Sequence, residues 1–191
     1  FGRLDVREYR GTCAAPFVWF DLDRQRIVGA LQDARRLASV LDERFRLDDD
    51  VLLVFFSGSK GFHLGLPTAL WSPAPALDFH LTTRRLAESL AAAAEVTIDT
   101  GVYDKVRAFR APNSRHPKSG LFKRRLSLDE LMGVSVEGIA KLAQSPEPFE
   151  VPPTVGRSDQ AAADWQTAVE QVNRRAEAVV ERRTNGDGPT L

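Results

Sequence analysis

The sequence predicts a mixed domain of strands and helices, α/β or α+β, on three observations. Short apolar runs rich in β-branched and aromatic residues read as strands, amphipathic stretches at helical spacing separate them, and proline or glycine marks the breaks. The 191 residues suit one domain, alone or with an appended helical piece, and can bury a sizeable core.

The first strand is Pro-Phe-Val-Trp-Phe-Asp-Leu-Asp, residues 16–23, which ends in two acids. Ile27, Leu31, Ala34, Ala38, Leu41 and Phe45 then recur on one helical face, and the acidic loop over residues 47–50 closes that helix. Residues 51–56, Val-Leu-Leu-Val-Phe-Phe, are apolar throughout and predict a central strand. A turn at Gly58 and Gly61 leads to a third strand over residues 63–66, and Pro67, Pro73 and Pro75 set a loop. A helix capped by Thr82 or Thr83 carries Leu86 and Leu90 to about Glu95, and Val-Thr-Ile-Asp, residues 96–99, reads as another short strand. Residues 109–123 are irregular, and Ser127 with Glu130 forms a capping box for a short helix.

The expected division is a catalytic domain over residues 1–145, a Pro-rich linker over 146–159, and a C-terminal helix with a frayed tail over 160–191. Trp165, Ala168, Val169, Val172, Ala176, Val179 and Val180 give that helix an apolar stripe, expected to cover the sheet. Pairing with another helix and contact with nucleic acid are the alternatives, the latter through Arg174, Arg175, Arg182 and Arg183.

Composition narrows the chemistry. Cys13 is the one cysteine, which excludes an internal disulfide and a Cys-rich zinc site, and His63, His80 and His116 are too few for most all-histidine metal sites. No apolar run approaches the roughly 20 residues of a bilayer span and no signal peptide is visible, so a cytoplasmic protein without a membrane partner is expected. Because the chain opens on Phe1, it is expected to be part of a longer protein. Net charge is zero, yet Lys105, Arg107, Arg110, Arg115, Lys118, Lys123, Arg124 and Arg125 follow one another with no acid between them. That concentration points to one focused anion site, or to a solvated charged loop.

Three clusters carry the candidate chemistry. Asp21 and Asp23 are two apart on a strand and share a face, where a hard divalent cation would relieve their repulsion. Asp99 ends a second run, and convergence of the three acids would suit two metals about 3.5–4 Å apart. The turn Ser-Gly-Ser-Lys-Gly-Phe-His, residues 57–63, offers Ser57, Ser59, Lys60 and His63 to phosphate oxygens, without the spacing of a P-loop. Arg107, Arg110, Ser114, His116, Lys118 and Lys123 add further donors. Alone, Asp-x-Asp also describes a solvated strand end and His63 a packed strand residue; together the clusters describe a metal-dependent nucleotide site.

In this order and spacing the clusters resemble the archaeo-eukaryotic primase superfamily, the primase–polymerases. Asp21-x-Asp23 is similar to its first motif, residues 57–63 to its Ser-Gly-x-[Lys/Arg]-Gly-x-His turn, Ile98-Asp99 to its hydrophobic-Asp motif, and residues 112–120 to its Pro-x-Ser-x-His-x-Lys-[Ser/Thr]-Gly stretch. Arg7-Glu8-Tyr9 is a fainter upstream echo. The likeness spans about residues 5 to 130 and lacks the Cys/His zinc module that many primases carry.

The resemblance implies an α+β primase–polymerase core with an RRM-like catalytic subdomain. It implies that Asp21, Asp23 and Asp99 hold two divalent ions, Mg²⁺ or Mn²⁺. Ser57, Ser59, Lys60, His63, Arg107, Arg110, Ser114, His116, Lys118 and Lys123 would bind the incoming NTP or dNTP. The implied activity is DNA-template-dependent primer synthesis and extension, with pyrophosphate released, in replication of a phage, plasmid or mobile element. Its partners would be a single-stranded DNA template, a primer strand and a replicative helicase. An end-joining repair polymerase of the same superfamily and a non-catalytic nucleic-acid-binding module are the alternatives. A rolling-circle initiator is disfavoured, because its paired-histidine site is missing and Tyr9 and Tyr103 are the only tyrosines. Asp104 reads as a surface residue.

Overall fold

The computed structural model describes residues 9–48, 51–151 and 155–184. The Arg7–Glu8 echo, the end of the acidic loop at residues 49–50, Pro152 and Pro153, and the tail from residue 185 lie outside the described residues.

Strand β1 (Phe17–Asp23) leads to helix α1 (Ile27–Phe45), and the hairpin of β2 (Leu53–Phe56) and β3 (Gly61–Pro67) follows. Helix α2 (Phe79–Ala93) comes next, then β4 (Arg124–Leu126), α3 (Leu128–Gly133), α4 (Val136–Leu142) and α5 (Asp159–Thr184). The sheet is antiparallel in the order β1-β3-β2-β4. The α+β class is therefore observed.

Alternation sets the sheet's two faces. Val18, Phe20 and Leu22 of β1 and Phe62, Leu64 and Leu66 of β3 are fully buried against the helices. The apolar face of α1 meets them through Ala30, Ala34, Leu37, Ala38 and Leu41, and α2 adds Leu86, Ala87 and Leu90. Trp19, Asp21 and Asp23 fall on the opposite face by the same alternation. Gly65 in mid-strand is explained there: a Cβ on it would come within 2.8 Å of the Trp19 indole, which lies across the strand.

Several expectations are corrected. Residues 96–99 form no strand; after α2 the chain turns through Glu95 at φ 54, and the one ladder-like bond is Asp99 N–H to the Asp21 carbonyl, 2.9 Å. Helix α2 starts at Phe79 after Asp78, so Thr82 and Thr83 are buried inside it rather than capping it. β4 emerges from the basic stretch because Arg124 is neutralised by Glu147 (2.6 Å) and approached by Glu130 (3.5 Å), while Leu126 fills the core. The Ser127–Glu130 capping box forms in both directions.

The Pro-rich segment lies on the protein: Glu147 exchanges hydrogen bonds with Asn113, and Phe149 stands edge-on to Phe55 at 5.2 Å. Helix α5 packs on α2 rather than on the sheet. Ala161 and Ala168 are buried, and Trp165 stacks against Trp71 and Phe79 at 5.6 and 5.3 Å, whereas Val179 and Val180 are exposed. Among the described residues no helix is long and apolar enough to cross a membrane.

Because the Trp165 contacts tie α5 to the core, Trp165→Ala is expected to lower the unfolding free energy by about 2–3 kcal/mol in urea titration. An unchanged midpoint would mean that α5 is not part of the cooperative unit.

Candidate active site

The face of the sheet away from α1 and α2 carries the polar residues. Register aligns Asp21, His63, Phe55 and Arg125 in one row across β1, β3, β2 and β4, and sets Asp23 opposite Gly61. His63 Nε2 stands 3.4 Å from Asp21 Oδ1, and Lys60 Nζ 3.4 Å from Asp23 Oδ2. His63 is nearly buried, with its ring edge-to-face on Phe109 at 5.2 Å and its Nδ1 without a hydrogen-bond partner.

Asp99 joins this edge through its backbone bond to Asp21, and its Oδ1 accepts from Gly101 N–H at 2.8 Å, capping the 3₁₀ turn Thr100–Val102. Tyr103, just beyond, donates its hydroxyl to the Trp19 carbonyl at 2.8 Å. Burial first, then the charges of Asp21, Glu88 and Asp99, push its ionisation far above that of an ordinary phenol.

The 57–61 turn is held rigid by its own first residue. Ser57 Oγ accepts from Gly61 N–H (3.1 Å) and Ser59 N–H (3.4 Å), and Gly58 takes φ +84, which only glycine adopts freely. The basic segment folds back on it: Arg110 donates to the Ser57 carbonyl at 2.7 Å, and the Ser119 hydroxyl donates to the Gly58 carbonyl. His116 Nδ1 accepts from the backbone of Lys118 and Ser119, and its ring is held below the usual histidine range by burial, Arg110 and Lys118.

Lys123, expected among the phosphate donors, is buried against aromatic rings. It is 2% exposed, its Nζ lies 5.2–5.6 Å from the ring centres of Trp19, Phe55 and Phe109, and it donates to the Arg110 carbonyl at 2.9 Å. Burial and Arg110 push its pKa down to about 8, against an upward pull from Asp21.

The structure thus brings Asp21, Asp23, Lys60 and His63 to one end of the face, with Ser57, Ser59, Arg110 and Lys123 behind them. Ser114 donates to the Ala111 carbonyl at 2.6 Å, Arg107 and Lys118 are exposed, and Asp104 is exposed as expected. Sequence reasoning missed Trp19, Phe55, Phe109, Tyr103 and Ser119, whose roles depend on cross-strand register and loop return; the one sequence signal was the aromatic density of the strands.

Asp21, Asp23 and Asp99 supply the hard oxygen donors that Mg²⁺ or Mn²⁺ prefers, and β1 presents the first two on a common face. Among the described residues no three His, Cys, Asp or Glu side chains are drawn into one cluster. The carboxylates of Asp21 and Asp23 instead face His63 and Lys60. Comparison with protein-family models, curated proteins and solved structures gives no match.

The buried Lys123 gives a pH signature. Its folded-state pKa lies below the unfolded value, so between about pH 8 and 10.5 the folded chain binds fewer protons and stability rises with pH. The stability difference between wild type and Lys123→Met should shift by up to about 3 kcal/mol in favour of wild type across that window, read by denaturant titration. A pH-independent difference would mean that Lys123 titrates as a solvated lysine.

Proposed function

We propose that the chain is a DNA-template-dependent nucleotidyltransferase of the primase–polymerase kind, acting in the cytoplasm on single-stranded DNA. The observation that carries this reading is the end of β1. Asp21 and Asp23 stand on the open face, Asp99 is bonded backbone-to-backbone to Asp21, and the Lys60–His63 turn lies directly alongside. The order β1-α1-β2-β3-α2, with residues 96–99 beside β1, also supports an RRM-like catalytic subdomain.

In this reading Asp21, Asp23 and Asp99 would hold two divalent ions, Mg²⁺ or Mn²⁺, which would supply electrostatic stabilisation of the charge that develops in the transfer. Lys60, released from Asp23, and the Ser59 hydroxyl bind the β- and γ-phosphates of an NTP or dNTP, with Arg110 behind the turn. His63 donates from Nε2 toward the phosphate while Phe109 holds its ring in place. A strand's 3′-hydroxyl oxygen bonds to the α-phosphorus, the bond to the β-phosphate's bridging oxygen breaks, and pyrophosphate leaves; the hydroxyl proton passes to solvent. Ser57 and Ser119 act by holding the turn. Primer strand, template and a replicative helicase are the partners this reading assigns.

A binding-only module is the second reading, favoured by the ion pairs that occupy Asp21 and Asp23. Primer extension on a single-stranded template with Mg²⁺ or Mn²⁺ separates the two. Wild type is expected to incorporate labelled nucleotide, and Asp21→Asn to lose at least about 100-fold in rate with its circular dichroism unchanged. Equal turnover by Asp21→Asn would sink the carboxylate assignment, and template binding without incorporation would favour the binding module.

A further inference from the structure

Beside the acids lies a cavity of about 280 Å³ that the triphosphate reading does not use. Its floor is Trp19 of β1, and Phe109, Tyr103 and Phe79 wall it. The segment over residues 13–15 lines it, pinned by a reciprocal pair of backbone bonds between Cys13 and Ala76 (2.9 and 3.1 Å) and by Lys105 Nζ on the Gly11 carbonyl (2.9 Å). The cavity is therefore preformed.

The Tyr103 hydroxyl and Lys105 Nζ are spent on backbone carbonyls, but two other polar groups of the lining are not. Thr83 is 6% exposed and its hydroxyl has no partner, although a buried hydroxyl without a hydrogen bond costs about 1–3 kcal/mol. His80 Nδ1 is likewise buried and unpartnered, and burial with the charge of Lys105 holds that ring toward its neutral form. Arg107 is exposed at the rim. Aromatic walls, two unsatisfied hydrogen-bonding groups and the exposed Arg107 guanidinium, with Asp104 as the one acid in the lining, match a heteroaromatic base joined to a phosphate.

Position decides which base. Along β1 the order is Trp19, Asp21, Asp23, on one face and about 7 Å apart at each step. The acids thus stand between the cavity and the Lys60 turn. In-line transfer puts the attacking hydroxyl and the departing pyrophosphate on opposite sides of the reacting phosphorus. With the triphosphate on Lys60, the cavity is on the attacking side. Resting on the function proposed above, we infer that this cavity binds the terminal nucleotide of the strand that supplies the 3′-hydroxyl, with its base against Trp19 and its 5′-phosphate on Arg107.

Cys13, the chain's one cysteine, lines the cavity and reports on it without any turnover. The experiment measures alkylation of Cys13 by iodoacetamide, by mass spectrometry, in the full chain without metal, with a 5′-phosphorylated deoxydinucleotide as probe. The dinucleotide is expected to slow alkylation, and Thr83→Val and Arg107→Ala each to raise the half-protecting concentration by about three- to tenfold. Thr83→Val removes an unpaired hydroxyl at constant shape, so its fold is expected to persist.

Absence of protection in the wild type overturns the inference, as does equal protection by inorganic pyrophosphate. Protection by a nucleoside triphosphate but not by the dinucleotide reassigns the cavity to the incoming nucleotide. If the dinucleotide protects but no nucleotide is ever incorporated, the polymerase reading fails and the strand-end site stands. Incorporation without protection fails the inference alone.

Discussion

The register between β1 and β3 governs where Asp21, Asp23 and His63 of the candidate site stand. One face of this pair is committed to the core, because Val18, Phe20 and Leu22 interleave with Phe62, Leu64 and Leu66 under α1 and α2. A slip of one residue would send those six side chains outward and bring Asp21, Asp23 and His63 into apolar surroundings. The hydrophobic pattern therefore fixes the polar pattern. Trp19 over Gly65 reinforces the same register, since a side chain at position 65 would displace the indole.

The open face needs a second constraint, because a bare sheet flanked by lysines and arginines would not hold a defined geometry. The segment over residues 105–123 supplies it by folding back over the strands. Lys123 enters an aromatic cage and anchors the Arg110 carbonyl, Arg110 reaches the Ser57 carbonyl, and Ser119 reaches Gly58. Fixed donors around a site are worth more to a developing charge than mobile ones, because little reorganisation remains during reaction. The burial cost of Lys123 is offset by its ring contacts and by the Arg110 carbonyl, and it leaves the depressed pKa as its trace.

Much of this was legible in the sequence. The alternation in β1, the long amphipathic run of α1 and the fully apolar β2 are local signals, and each produced the expected element. Asp21 and Asp23 were placed on one face by spacing alone. Residues 96–99 misled because Val-Thr-Ile has strand composition, while the sharp turn at Glu95 and the single bond to Asp21 depend on tertiary packing. β4 was hidden for the opposite reason: Arg-Arg-Leu has no visible alternation, and its burial relies on Glu147, more than twenty residues away. The caging of Lys123 and the cavity beside Trp19 join segments distant in sequence, so no window of sequence displays them.

The central claim is that the end of β1 is a metal-dependent triphosphate site, and binding tests it more directly than turnover. Calorimetric titration of a non-hydrolysable nucleoside triphosphate, with and without Mn²⁺, would measure it in wild type and in Asp23→Asn. The account predicts binding that requires Mn²⁺ and weakens by at least about tenfold in the variant. Triphosphate binding of equal strength without the metal, and unchanged in Asp23→Asn, would contradict it and leave the basic segment as a plain anion site.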